Sequence, residues 1–274
     1  MGASVLSIVI PTLNAAATLP ATLAALGCNP GAGLEVIVVD GGSTDGTQSL
    51  VTGLAAGQMD SALSPATPPG VAGCGDIVSD DIGKTAGDGG GSGRDGAGGG
   101  SSRIRLLIAP RGRGSQLASG IAAATGPWIL LLHADTILSP GWRAMAAEHM
   151  ASGADRAGYF GFRLDSTDRR ARLLERLVAW RCRVFALPYG DQGLLIHRHL
   201  LAQVGGMRDI ALMEDVDLIR RLGRKRLIPL SADATTSAAK WQRHGWVRRS
   251  ACNLLCLSLW FAGVPPHVIR RLYG

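Results

Sequence analysis

Asp40 ends one apolar run, LEVIVVD (34–40), and Asp135 ends another, WILLLHAD (128–135). Runs of this kind read as buried parallel strands, and in an open parallel sheet ligands bind beyond the carboxyl ends of the strands. Either acid alone is equally a turn or helix-capping residue. Two of them on one sheet edge point to a shared ligand. A carboxylate where Asp135 lies suits a hard divalent cation, Mg2+ or Mn2+, which prefers oxygen ligands and few protein contacts. His133, two residues earlier, points the same way off an extended chain. It is a second ligand, a donor to phosphate or a structural hydrogen-bonding group. Arg111-Gly112-Arg113-Gly114 follows the strand RIRLLIAP (103–110). Its glycines let the backbone approach closely, and its guanidinium groups bind phosphate or ribose oxygens in pairs. A dinucleotide GxGxxG fingerprint fails there, because position 117 is Leu. Glu214-Asp215 opens a helical stretch. The pair is either a favourable charge at a helix N-terminus or a general base tuned upward by its neighbour. Met213 before it implies a partly buried setting, and Asp217 reads as helix surface.

The elements that must position these residues alternate. LSIVIPTLN (6–14) and 34–40 read as buried strands, with helices over 15–26 and 46–56. Strands follow at 103–110, 128–135, 159–165 and 193–196, with helices at 114–125, 140–151, 168–186, 198–204, 215–224 and 246–262. On the helix at 168–186, Leu174, Val178, Cys182 and Phe185 share one face, with Arg on the others. Together these predict an α/β fold with a mostly parallel sheet and helices on both faces. Residues 58–102 break the pattern: 13 of the 45 are Gly and large apolar residues are nearly absent. Such a segment cannot bury enough surface to offset about 1–2 kcal/mol of ordering entropy per residue, and it reads as a disordered insert. Within it, Gly83-Lys84-Thr85 resembles the end of a phosphate loop, but Val78 stands where that loop needs Gly.

The net charge of +7 hides an asymmetry. Residues 1–155 hold 7 basic and 12 acidic side chains, whereas 156–274 hold 21 basic and 9 acidic. That C-terminal excess, nearly all Arg, fits an anionic partner (nucleotide phosphate, a phospholipid surface or nucleic acid) or simply solvated helices. Five scattered cysteines without a CxxC argue against a zinc site or disulfide framework, and fit a reducing cytosol. The first residues lack the basic flank of a signal peptide, and the longest apolar stretch, about 251–264, is shorter than a spanning helix needs. Trp246, Arg248, Arg249, Trp260 and Phe261 flank that stretch. It either packs on the core or lies peripherally on a membrane.

LSIVIPTLN, VVDGGSTDGT, the strand ending in HAD, GDQGLLI and LMEDVDL, in this order, resemble family 2 glycosyltransferases of the GT-A (nucleotide-diphospho-sugar transferase) fold. RGRG, LLLHADT, GDQG, LMEDVDL and GVPPHVIRRLY are further similar to the subgroup of radical-SAM/selenodomain-associated transferase 2, or arsenosugar-biosynthesis glycosyltransferases. The resemblance covers about 4–57 and 103–274. It implies one GT-A domain over 1–274, interrupted by the 58–102 insert and closed by a helical extension at 240–274. It also implies an inverting transfer (EC 2.4) from a UDP- or GDP-type sugar to a small or lipid-linked hydroxyl, with Mg2+ or Mn2+. Pro11, Thr12, Asn14, Asp40 and Arg113 would bind the nucleotide sugar, Asp135 the metal as the last acid of a DxD motif, and Asp215 would be the catalytic base beside Glu214. His133 departs from the first acid of DxD. Lys240-Trp241-Gln242-Arg243 only loosely matches the QxxRW of processive enzymes, so a single transfer is expected. The competing readings are a sugar-1-phosphate nucleotidylyltransferase, whose Gly/Arg-rich signature after the first strand is missing, and a basic non-catalytic membrane-surface protein. Nucleic-acid binding is not expected, since no such motif stands out.

Overall fold

The computed structural model describes residues 5–27, 34–56 and 103–273, so the glycine-rich insert expected at 58–102 lies outside the described residues. The chain forms β1 (Leu6–Thr12), α1 (Leu19–Ala25), β2 (Glu35–Asp40), α2 (Thr47–Ala55), β3 (Arg103–Ile108), α3 (Arg113–Ala123) and β4 (Trp128–Leu131). It continues through β5 (Thr136–Leu138), α4 (Trp142–Ala151), β6 (Ala157–Leu164), α5 (Arg169–Phe185), β7 (Leu194–His197) and α6 (Arg198–Gln203). The remainder is α7 (Glu214–Leu222), β8 (Leu227–Thr236), α8 (Ala239–His244), α9 (Trp246–Phe261) and α10 (Pro266–Tyr273).

The eight strands make one sheet in the order β3-β2-β1-β4-β7-β6-β8-β5. The four on the β3 side run parallel; β7 then pairs antiparallel with β4 and with β6, β8 parallel with β6, and β5 antiparallel with β8. Because successive strand residues face opposite sides, β1 feeds two cores. Leu6, Ile8 and Ile10 join α1, α2 and α4 through Leu23, Val51 and Trp142. Val9 joins α3, α6 and α7 through Leu117, Leu200 and Leu218 on the other face. Helices therefore cover both faces, as the apolar runs imply. The α3 contact is close: a Cβ on Gly120 would come within 2.3 Å of the Val9 side chain, so only glycine lets this helix lie on β1.

Four readings need correction. The run 128–135 is not one strand. It leaves the sheet after Leu131, turns through 132–135 and re-enters as β5, so His133 and Asp135 sit in a turn and not on extended chain. The strand β8 was not anticipated; after it, α8, α9 and α10 follow in the 240–274 stretch, and Pro266 is the first residue of α10, where proline's missing N–H is harmless. On α5, Phe185 is exposed. Asp217 too is no surface acid: it is buried and paired with Arg208 at 3.1 Å and Arg221 at 2.8 Å.

At the end of the sheet away from the strand C-termini, Glu35 holds four segments together. It accepts from Ser7 Oγ at 2.5 Å and from Thr125 N and Oγ1 at 2.7 and 2.9 Å, and it pairs with Arg105 at 3.0 Å. Burial alone would raise its carboxyl pKa, but the Ser7 and Thr125 hydrogen bonds and Arg105 outweigh it, so the group is held below its ordinary 4.5. A depressed carboxyl stabilises the fold above the unfolded-state value, and that contribution disappears as pH falls through the folded value. Glu35→Ala should cost about 3 kcal/mol at neutral pH, leaving buried donors unpaired. Urea unfolding across pH 3–7 (a range of roughly the carboxylate titration) should show the variant and parent converging at the acid end. A constant gap would refute the ionic role.

Candidate active site

Strand order reverses direction of growth between β1 and β4, which opens a crevice beyond their C-terminal ends. A cleft of about 530 Å³ lies there. Pro11, Thr12 and Asn14 from the end of β1, Arg111 and Arg113 from the start of α3, and His133 and Asp135 from the turn after β4 line it. Lys240 of α8 and Arg270 of α10 add cations from the C-terminal helices.

The β1 and β2 ends are locked together. Gln116 Nε2 donates to Thr12 O and Val39 O, both at 2.7 Å. Asn14 adopts a left-handed φ of 52°, which asparagine tolerates, and its Oδ1 accepts from Thr44 N at 2.9 Å. Asp40 is fully buried, behind the residues that line the cleft. Its carboxylate accepts from Gly42 N at 3.0 Å, Ser43 N at 2.9 Å, Gln48 Nε2 at 2.7 Å and the Ser43 hydroxyl. Burial opposes its ionisation, yet these hydrogen bonds prevail and lower its pKa. Asp40 thus shapes the loop beneath the cleft.

Arg113 joins the two sides of the site. Gly114 seats α3 against the 208–210 loop so closely that a Cβ would lie 2.8 Å from Ile210 N. From that anchored start, the Arg113 guanidinium donates to Glu214, lies 3.3 Å from Asp215 Oδ2 and reaches within 3.4 Å of His133 Nε2. Burial works against its charge, but Glu214 and Asp215 more than compensate, so its proton affinity is raised. Glu214 is 1% exposed. Burial raises its pKa, Arg113 pulls the other way, and the neighbouring Asp215 adds to the rise. Both acids start α7, where the helix N-terminus favours negative charge. Met213 enters that helix with a left-handed φ of 68°, a conformation costing a non-glycine about 1–2 kcal/mol. Strain of this kind marks a position the surrounding packing dictates. Asp215 Oδ2 also accepts from Gly190 N at 2.8 Å. Glu214 and Asp215 line a smaller pocket, about 40 Å³, with Tyr189 and Gly190; His133 lines both spaces.

Asp191 lies in the GDQG stretch, where residue types alone do not mark it as a site residue. It lies 2.6 Å from His133 Nδ1. Burial opposes its charge, but the His133 hydrogen bond, with Lys240 and Arg113 nearby, holds it far below the usual carboxylate range. One ligand atom each from His133, Asp135 and Asp191 lie within 4.8 Å of one another. Two oxygens and one imidazole nitrogen fit Mn2+ at least as well as Mg2+. Lys240 Nζ stands 3.7 Å from Asp135 Oδ2, a displaceable counter-charge on an exposed stem. The signal that could have found Asp191 is an acid between two turn glycines, Gly190 and Gly193, both with positive φ.

The Glycosyl transferase family 2 model matches residues 7–63 and 97–187, more than half the chain, and passes over the middle of the glycine-rich stretch. No curated protein matches the sequence. Among solved structures, the chain is similar to the mannosyltransferase PcManGT from Pyrobaculum calidifontis, in complex with GDP-Man and Mn2+, at 19% identity and a TM-score of 0.57 over 94% of this chain. It is also similar to S. aureus TarS 1-349 in complex with UDP-GlcNAc, at 14% identity and a TM-score of 0.53 over 85% of this chain. At such identities the likeness is one of fold, and this chain spans only 64% and 58% of those two chains. The fold is thus the expected GT-A-like α/β arrangement, and by its sequence the chain belongs to glycosyl transferase family 2.

Proposed function

We propose that this protein transfers a single sugar from a UDP- or GDP-type donor to a hydroxyl acceptor, with inversion and with a divalent cation. One observation carries the reading. The Arg113 guanidinium lines the cleft that begins at β1 and reaches the Glu214–Asp215 pair at the head of α7, which supports a donor cleft next to a candidate base. Pro11, Thr12 and Asn14 would line the nucleotide, with Asp40 holding the loop beneath it. His133, Asp135 and Asp191 would hold Mn2+ or Mg2+. When bound, that cation would offset charge on the departing diphosphate. Lys240, Arg111 and Arg270 stand ready to pair with the same phosphates.

Asp191 would orient His133 by accepting from Nδ1–H, which leaves the Nε2 lone pair, 3.4 Å from Arg113 Nη1, as the atom available to a cation. Asp215 would take the acceptor proton as the acceptor oxygen attacks the anomeric carbon from the face opposite the leaving group. Glu214, buried and bound to Arg113, would position that guanidinium. The RGRG, LLLHADT, GDQG, LMEDVDL and GVPPHVIRRLY stretches support placement in the arsenosugar-biosynthesis subgroup, and with it a small hydroxylated or lipid-linked acceptor. The free thiols Cys182, Cys252 and Cys256 support a reducing cytosolic setting.

Titration calorimetry with UDP and GDP should show tighter binding with Mn2+ present, a gain that Asp135→Ala abolishes and Asp191→Ala reduces by about 10- to 100-fold. Metal-independent binding unaffected by either change would remove the metal assignment. Asp215→Asn should retain donor binding and lower kcat by at least about 100-fold. Undiminished turnover would place the base elsewhere.

A further inference from the structure

Fifteen large hydrophobic side chains are exposed among the described residues, and eleven of them fall on α5, α9 and α10. Scattered exposed leucines need no explanation, but a concentration does. On α5, Ala171, Glu175 and Cys182 face the core. Leu173, Leu177, Trp180 and Val184 recur at helical spacing on the opposite side and are 57, 52, 50 and 45% exposed. On α9, Trp246, Cys256 and Leu257 face inward, while Val247, Leu254 and Leu255 face outward at 82, 65 and 53%. The two helices are neighbours. Trp246 packs with Ala171 and Leu174, Arg170 lies 5.7 Å over the Trp246 ring, and Tyr189, stacked under Arg181 at 3.9 Å, packs with Cys256 and Leu257. Trp180 and Phe185 form an exposed edge-to-face pair at the end of α5, the amphipathic kind of anchor that settles at a lipid headgroup layer.

The charges beside these faces have one sign. Across α5, α9 and α10 the single acid is Glu175, which is buried and bound to Arg163 and Arg172. Arg169, Arg176 and Arg183 flank the α5 stripe and Arg248 flanks that of α9. All four are exposed and lack an acidic partner among the described residues. A second copy of this chain would bring like charges together around its apolar stripes. An anionic bilayer surface supplies both an apolar bed and opposite charge. No helix among the described residues is long and apolar enough to cross a membrane, so the contact is a lateral one.

We propose that the outward faces of α5 and α9 form a docking surface for anionic phospholipid bilayers, with Leu173, Leu177, Trp180, Leu254 and Leu255 entering the interface and the arginines meeting headgroups. This surface is independent of the reaction at the cleft, and its test reads no turnover. Flotation with vesicles of phosphatidylcholine containing about 30% phosphatidylglycerol should recover the protein, whereas pure phosphatidylcholine vesicles should recover at least tenfold less. Leu177→Glu with Leu254→Glu should lower recovery at least tenfold. Because both residues are already in water, the melting temperature should stay unchanged. Arg169→Gln, Arg176→Gln and Arg248→Gln together, which leave the apolar faces intact, should weaken binding to the anionic vesicles selectively. Equal recovery on both vesicle types, no recovery on either, or unchanged recovery of the charge variant would overturn the proposal. So would a stable dimer in light scattering that Leu254→Glu dissociates, since it would assign the face to a second copy.

Discussion

A single half-buried guanidinium governs this site. Arg113 leaves the first turn of α3 and meets Glu214, Asp215 and the edge of His133. Without it, two adjacent carboxylates would face each other at the head of α7 in a poorly hydrated setting, and at least one would take up a proton. With it, the acids stay close to the cleft and keep a fixed orientation. The arrangement depends on contacts that serve no chemistry themselves. Gly114 lets α3 sit against the 208–210 backbone, Gly120 lets it lie on β1, and Gln116 clamps the ends of β1 and β2. The same helix therefore sets the sheet edge, one wall of the cleft and the acid pair.

Much of the fold is legible in the sequence because its central strands are buried on both faces. LSIVIP and LEVIVVD are continuous apolar runs that only a covered parallel sheet can hide. The outer strand β8 is not legible: Leu227–Thr236 includes Pro229 and small polar residues, and its conformation comes from pairing with β6 and β5. The turn after β4 is hidden for the opposite reason. Leu132 continues the apolar run and is buried, and its N–H still donates to Val9 O of β1 at 3.1 Å, but the strand has ended at Leu131. On α5 the pattern is ambiguous, since Leu174 and Val178 define one stripe and Leu173, Leu177 and Trp180 another. Periodicity cannot say which of two stripes meets the core.

The site divides along the same line. Pro11, Thr12, Asn14 and Arg113 lie at or just past a strand end or at a helix start, where a topological rule points to ligand, and Asp135 lies in the turn after β4; all five line the cleft. Asp40 satisfies the rule by position, yet spends its oxygens on the loop that follows it. Asp191 obeys no such rule. It sits in a loop, and its partner His133 is 58 residues away in sequence. Lys240 and Arg270 reach the cleft from α8 and α10, so the basic C-terminal half divides its arginines and lysines between the cleft and an outward surface. Family membership and geometry meet here, since the family match ends at residue 187 while Asp191, Glu214, Asp215 and Lys240 all lie beyond it.

The role given to Arg113 is best tested by a double-mutant cycle on stability with Glu214. Arg113→Met and Glu214→Gln, measured singly and together by denaturant unfolding at neutral pH, isolate their coupling. Removing the half-exposed Arg113 takes the counter-charge from the buried Glu214 carboxylate, so Arg113→Met should cost about 2–3 kcal/mol. The double variant should recover a large part of that loss, giving a coupling energy of at least about 1.5 kcal/mol. Additive effects, with no recovery in the double variant, would show that the two groups do not depend on each other and would contradict the account.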